Sequence, residues 1–272
     1  MGANVTRAVL IGATGRMGAA IVLASAAGGV TIVAAVASPG SKSAGLDVGE
    51  VAGGKALGVR VQTELPADLG KAAVAIDFSR PELTLRALDA CRAAGVPLVI
   101  GTTGHDAAFD ARVDGAARDI AVLVAPNTSI GVAVAMELVR LTARVLPAEF
   151  DIEITEAHHK HKVDAPSGTA LALAGSAAQG RGLDPRHAVK AGRAGNEARR
   201  PGEIGIASVR AGDVVGTHAV LFAGGGERLT ITHEATDRSI FAQGAVRAAA
   251  WLAGQKPGRY TMANVLGLKT SA

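Results

Sequence analysis

The run Ala8-Val9-Leu10-Ile11 has no polar residue and ends directly in Gly12-Ala13-Thr14-Gly15-Arg16-Met17-Gly18. So short and pure an apolar run reads as a strand buried on both faces, which a parallel sheet covered by helices provides. The glycines carry the chain through a tight turn into a helix predicted over Met17–Ala27. Their spacing, G-x-x-G-x-x-G, lets backbone approach a pyrophosphate, and the helix N-terminus favours its negative charge. The turn alone is a weak signal. Further strands at Thr31–Ala37, Val74–Phe78, Leu98–Ile100 and Ile120–Val124, with helical stretches at Glu82–Ala94 and Asp106–Arg118, strengthen it. This alternation predicts an α/β fold, a Rossmann-like doubly wound parallel sheet with its ligand crevice at the strand C-termini. Gly101-Thr102-Thr103-Gly104 and Ala125-Pro126-Asn127-Thr128-Ser129 both fall at such ends.

The pattern changes near Asn127. Ile130–Leu146 is predicted helical, with Val134, Leu138, Leu141 and Val145 recurring at spacings of three and four as its apolar face. Alternating strands follow at Asp151–Ala157, Ile204–Arg210, His218–Phe222 and Leu229–His233, with one helix from Thr169 to Ala178. They predict a separate, smaller α+β domain. Gly180–Gly202 reads as a mobile glycine- and arginine-rich loop, Ser239–Leu252 as a last helix and Arg259–Leu268 as a short tail.

Composition narrows the function classes. Apolar residues make up 49%, and no uninterrupted run reaches the length of a membrane span. Met1–Arg7 has no apolar signal core. The net charge of +4 suits an acidic small molecule as well as nucleic acid, but 3% aromatics leave little for base stacking. The expectation is therefore no nucleic acid and no membrane partner. The single cysteine, Cys91, lies on a predicted apolar helix face and reads as buried filler, in keeping with a reducing cytoplasm.

A dinucleotide fold that prefers NADH usually carries an acid about 20 residues past the glycine turn, on the ribose 2′-hydroxyl. Here the second strand runs into Ala37, Ser38, Pro39, Gly40, Ser41 and Lys42, with no acid before Asp47. Ser38, Ser41 and Lys42 would face a 2′-phosphate without repulsion, so NADPH is expected to serve at least as well as NADH.

The densest chemistry lies in Glu156-Ala-His158-His159-Lys160-His161-Lys162-Val-Asp-Ala-Pro166-Ser167-Gly168-Thr169-Ala170. Three readings compete. His158 and His161 with Glu156 could hold a metal, although Lys160 and Lys162 would repel a cation. The stretch could be a solvated basic turn. Or it is an anion site, in which Ser167 caps a helix whose first N–H groups, from Gly168 and Thr169, meet a carboxylate beside Lys162. A histidine there can take or give a proton near neutral pH.

These segments together resemble the dihydrodipicolinate reductase family, the 4-hydroxy-tetrahydrodipicolinate reductases of diaminopimelate and lysine biosynthesis. The likeness runs nearly end to end and includes Val209–His218, Phe222, Glu227-Arg228 and Phe241–Ala245. It implies an NAD(P)H-dependent enzyme, without a metal, acting on a small dicarboxylate. His158 would be the acid/base histidine and Lys162 the proton donor, with His159, Gly168 and Thr169 on the substrate. Gly12, Ala13, Thr14, Gly15, Arg16, Met17, Ser38, Gly101, Thr102, Thr103, Ala125, Pro126, Asn127 and Thr128 would line the cofactor. The resemblance further implies a homotetramer built through the second domain's sheet, closure of the domains over the ligands, and a C-terminal segment that returns to the first domain. The domains would be 1–129 with 239–272, and 130–238. Two places depart from the family pattern: Ala37-Ser38 replaces an acid commonly followed by Arg, and Thr128 stands where an aromatic is common. A nicotinamide-sensing regulator that reduces nothing is the rival from another class.

Overall fold

The computed structural model describes residues 5–268, so residues 1–4 of the predicted signal-free start lie outside it. The chain forms two compact units, one of Gly131–Arg238 and one of the chain before and after it.

In the first unit, β1 (Thr6–Ile11), α1 (Arg16–Ser25), β2 (Val30–Val36), the single turn α2 (Val48–Val51), β3 (Val61–Gln62) and β4 (Val74–Asp77) are followed by α3 (Pro81–Ala94), β5 (Leu98–Ile100), α4 (Phe109–Ala116) and β6 (Ala121–Val124). The helix α5 (Ile130–Val145) then leads into the second unit: β7 (Asp151–His158), α6 (Gly168–Arg181), α7 (Pro185–Ala188), β8 (Val189–Ala191), β9 (Ile204–Arg210), β10 (Gly216–Ala223) and β11 (Arg228–Ala235). The helix α8 (Ser239–Leu252), β12 (Gly258–Tyr260) and the turn α9 (Met262–Val265) rejoin the first.

The first unit's seven-stranded sheet has the order β12-β6-β5-β4-β1-β2-β3, all pairs parallel. This is the doubly wound sheet that the pure apolar runs predict. Leu10, Ile11, Ile76, Leu98 and Ile100 are fully buried because both faces are covered. Strand order reverses between β1 and β4, which places the switch point beside Gly12, where folds of this kind open a crevice. Cys91 is fully buried on α3, and burial pushes its thiol up to about 12. The predicted tail is not a tail: β12 adds an edge strand parallel to β6.

The second unit's five-stranded sheet, β11-β10-β7-β9-β8, is mixed. Its inner face, Ile152 and Ile154 on β7 with Ile204, Ile206, Val220 and Phe222, packs on Val139 of α5 and Leu173 and Ala174 of α6. Two expectations fail here. The α5 stripe that periodicity selects is the exposed one: Val134, Leu138, Leu141 and Val145 stay open while Val132, Ala135, Val139 and Ala143 are buried. Small residues let the helix axis come close to the sheet, and a pattern weighted by large side chains misses that. Gly180–Gly202 is not a continuous loop either. It finishes α6, makes α7 and supplies edge strand β8, paired to β9. Its arginines are tied to carboxylates: Arg193 to Glu153 and Glu203, Arg199 to Asp151 and Glu153, Arg200 to Glu203. No described helix is long and apolar enough to cross a membrane.

Candidate active site

The glycine turn is built by close packing. Gly12 has φ +83°, and a Cβ there would lie 2.2 Å from the Phe78 carbonyl oxygen. A Cβ on Gly18 would lie 2.3 Å from the Gly12 oxygen, so α1 can start against the turn only without side chains at both places. Gly12 and Ala13 donate their N–H groups to the Val36 carbonyl, which leaves Thr14–Met17 as the segment facing outward. Gly15 is exposed and extended at the N-cap of α1, and no side chain caps that helix end. A pyrophosphate fits this end: Gly15 and Arg16 are exposed, the helix dipole is positive there and no side-chain cap bond occupies it.

The other predicted cofactor segments lie at neighbouring strand ends, and two of their hydroxyls turn inward. Thr102, 7% exposed, donates to the Asp77 carboxylate at 2.8 Å and accepts the Ser79 N–H at 2.9 Å. Thr128, 2% exposed, donates to the Phe241 carbonyl at 2.6 Å. At the 102 and 128 positions the site therefore offers shape and backbone rather than hydroxyls, while Thr103 and Pro126 are exposed. Ala125 is buried under its loop, and the Asn127 side chain accepts the Ser129 N–H at 2.9 Å. Ala37 is buried, and its N–H donates to Gln62, so Ser38 is the first exposed residue after β2. The sequence reading missed Asp77, Phe78 and Ser79. Their signal was position: they end the strand next to β1.

In the second unit the inner face of β7 changes chemistry along its length. Ile152, Ile154, Glu156 and His158 are all buried on one side. The strand's period of two therefore puts the carboxylate and the imidazole together. His158 Nδ1 meets Glu156 Oε2 at 2.6 Å. Arg210 grips both oxygens of Glu156, at 2.9 and 2.8 Å, and the Ser167 N–H adds a bond of 3.2 Å. Burial opposes ionisation of Glu156, but Arg210, Ser208, His158 and the Ser167 N–H outweigh it and hold the carboxyl at about 2. The glutamate is thus a fixed buried anion, and it favours a proton on His158 Nδ1.

The start of α6 joins the same cluster. Ser167 caps the helix, its Oγ accepting the Ala170 N–H at 3.1 Å, and shares a hydrogen bond of 3.1 Å with His218 Nε2. His218 is edge-on to His158, ring centres 5.1 Å apart. Burial first, then the charges of His158, His233 and Lys162, push His218 down to about 4 despite Glu156. Gly168 is exposed and Thr169 half-buried in the first turn of α6. Lys162 pairs with Asp164 at 2.8 Å, which holds its ammonium in place. His159, just past β7, has its pKa lowered by desolvation and then by Arg238, His161, His158 and Lys162. Lys160 and His161 are exposed. Among the described residues no group of acidic, histidine or cysteine side chains is arranged to hold a metal, and Glu156 is taken by Arg210. The sequence reading missed His218, Arg210 and Asp164 as members of the cluster.

The family pattern for the N-terminus of dihydrodipicolinate reductase matches residues 6–128, and the pattern for its C-terminus matches residues 131–266. The chain belongs to the dihydrodipicolinate reductase family. It is 51% identical over 265 residues to a 4-hydroxy-tetrahydrodipicolinate reductase of Alkalilimnicola ehrlichii, covering 97% of this chain and 99% of that one. A second such reductase, from Anaeromyxobacter dehalogenans, is 51% identical over 266 residues, 97% of this chain and 98% of its own length. A solved dihydrodipicolinate reductase from Paenisporosarcina sp. TG-14, bound to dipicolinate, is similar with a TM-score of 0.75 at 26% identity, covering 95% of this chain and 98% of that one. An amine dehydrogenase from Mycobacterium smegmatis shares the fold alone, with a TM-score of 0.60 at 16% identity over 94% of this chain and 95% of its own.

Proposed function

We propose that this member of the dihydrodipicolinate reductase family reduces 4-hydroxy-tetrahydrodipicolinate to tetrahydrodipicolinate with NAD(P)H, in diaminopimelate and lysine biosynthesis. The observation that carries the reading is the buried Glu156–His158 pair on β7, bonded to the Ser167 N–H at the start of α6, with Lys162 paired to Asp164 nearby. A dicarboxylate suits this place. The first-turn amides of Gly168 and Thr169 and the positive helix end favour one carboxylate, and His159 donates to it.

When bound, the nicotinamide supplies a hydride to the unsaturated ring that remains once the 4-hydroxyl has left as water. The ring gains an electron pair and must gain a proton. His158 and Lys162 provide it: Glu156 holds Nδ1–H of His158, so Nε2 is the nitrogen that exchanges protons, and Lys162 stabilises negative charge as it develops. In unit one, Gly12–Met17 with Gly101–Thr103 and Ala125–Thr128 hold the dinucleotide, by backbone at Thr102 and Thr128. Ser38 lies where the adenosine ribose would end. The first acid after β2, Asp47, already accepts the N–H groups of Gly49, Glu50, Leu57, Gly58 and Val59. It is therefore no partner for a ribose 2′-hydroxyl, which supports acceptance of NADPH at least as readily as NADH.

A homotetramer formed through the sheet of the second unit is also part of the reading. One face of that sheet carries α5 and α6. The other presents Thr155, Ala207, Val209, Thr230 and Thr232, small or uncharged and exposed. Light scattering of the purified protein should give four times the chain mass. The central test is consumption of NADPH, followed by absorbance, with the freshly made cyclic product of pyruvate and aspartate semialdehyde. Turnover is expected; tight nicotinamide binding without turnover would favour a sensor.

A further inference from the structure

Asp77 is a buried carboxylate that the reduction itself does not use. It ends β4, fully buried, on the strand that flanks the switch point. A carboxylate out of water is costly unless donors surround it. Three hydroxyls do so: Ser79 at 2.5 Å on Oδ1, and Thr84 at 2.5 Å and Thr102 at 2.8 Å on Oδ2.

Thr102 Oγ1 accepts the Ser79 N–H, and with Asp77 ionised it donates its own hydrogen to that carboxylate. The chain Ser79 N–H to Thr102 O–H to Asp77 therefore ties the loop after β5 to the turn after β4. The same turn is the floor for two glycines. A Cβ on Gly12 would strike the Phe78 carbonyl, and one on Gly101 would lie 2.2 Å from the Phe78 ring. Two neighbouring loops, the Gly12 turn and the Gly101–Thr103 loop, thus take their positions from residues 77–79.

We infer that Asp77 is a positioning residue for the nicotinamide site, gathering the hydroxyls of Ser79, Thr84 and Thr102 so that the Gly101–Thr103 loop and the Gly12 turn keep one shape. This rests on reading the first unit as the dinucleotide site. It also explains why Thr102 can line a cofactor site while its hydroxyl points away from any ligand.

The test is the Kd for NADPH, measured by nicotinamide fluorescence, beside Tm and steady-state rates. Thr102→Val keeps the side chain's shape and removes both its bonds. It should weaken NADPH binding about tenfold. Thr102→Ser restores the hydroxyl and should bind like the wild type. Asp77→Ala should match or exceed the loss in Thr102→Val. Asp77→Asn, whose oxygen can still serve both threonines while its amide turns to Ser79, should stay within about threefold. A folded Thr102→Val protein with wild-type Kd and only a lower Tm would reduce Asp77 to a fold staple and overturn the inference. If the wild type binds neither NADPH nor NADH, the nicotinamide reading fails and takes this inference with it.

Discussion

Around Gly12 several buried polar side chains face inward, which leaves much of the proposed cofactor contact to backbone. Asp77, Thr84, Thr102 and Thr128 bond to one another or to main chain, and the turn's glycines are fixed by contacts a single methyl would break. Around His158 the ionisable side chains are themselves the apparatus. The buried Glu156 and half-buried Arg210 form a pair whose visible result is the orientation of one imidazole, and Lys162 is held by Asp164. The first region is therefore sensitive to shape and the second to charge. Changes in the first should appear as cofactor affinity, and changes in the second as rate and pH dependence.

The largest effect that would sharpen this contrast comes from the second region. His158→Gln and Lys162→Met should each lower kcat about a hundredfold or more, while NADPH Kd from fluorescence stays within about twofold. A loss below about tenfold in both, roughly 1.4 kcal/mol, would remove them from the proton steps.

The next effect is on stability. His218 sits at about 4 in the folded protein against an ordinary 6.5. Folding is then favoured where the ring is neutral in both states, and that stability is lost as pH falls from 6.5 towards 4. The loss is at most about 3 kcal/mol. His159 and His233 are shifted the same way by burial and add to it. Glu156, at about 2, stays ionised across the window. Urea midpoints at about pH 7 and about pH 5 should separate clearly in the wild type and less in His218→Gln. Equal pH slopes in the two proteins would show that the ring titrates freely.

The smallest effect tests the first region by introducing a charge where none stands. Ser38→Asp should move the ratio of kcat/KM for NADPH over NADH about tenfold towards NADH, by repelling a 2′-phosphate and offering an acceptor to a 2′-hydroxyl. An unchanged ratio would put the adenosine ribose elsewhere.

Much of this was legible before any coordinate. The apolar runs from Ala8 to Val124 specify buried parallel strands because only such strands can dispense with polar residues on both faces. The glycine turn follows from its spacing, and Glu156 and His158 share a face because a strand repeats every two residues. What local pattern could not supply was the neighbour of each element. Arg210 reaches Glu156 from 54 residues away because β9 lies beside β7, and His218 because β10 lies on the other side. The buried face of α5 escaped for a related reason: Ala135 and Ala143 win the interface by letting the helix approach, which no count of large apolar residues reveals. The sequence by itself determined which segments become strands, where the backbone must be bare and where titratable side chains gather. Tertiary structure decided that Glu156 is a pinned anion, that the hydroxyls of Thr102 and Thr128 turn inward and that Asp77 joins the loops. Each of those depends on strand register and burial, and both arise only when segments distant in sequence pack together.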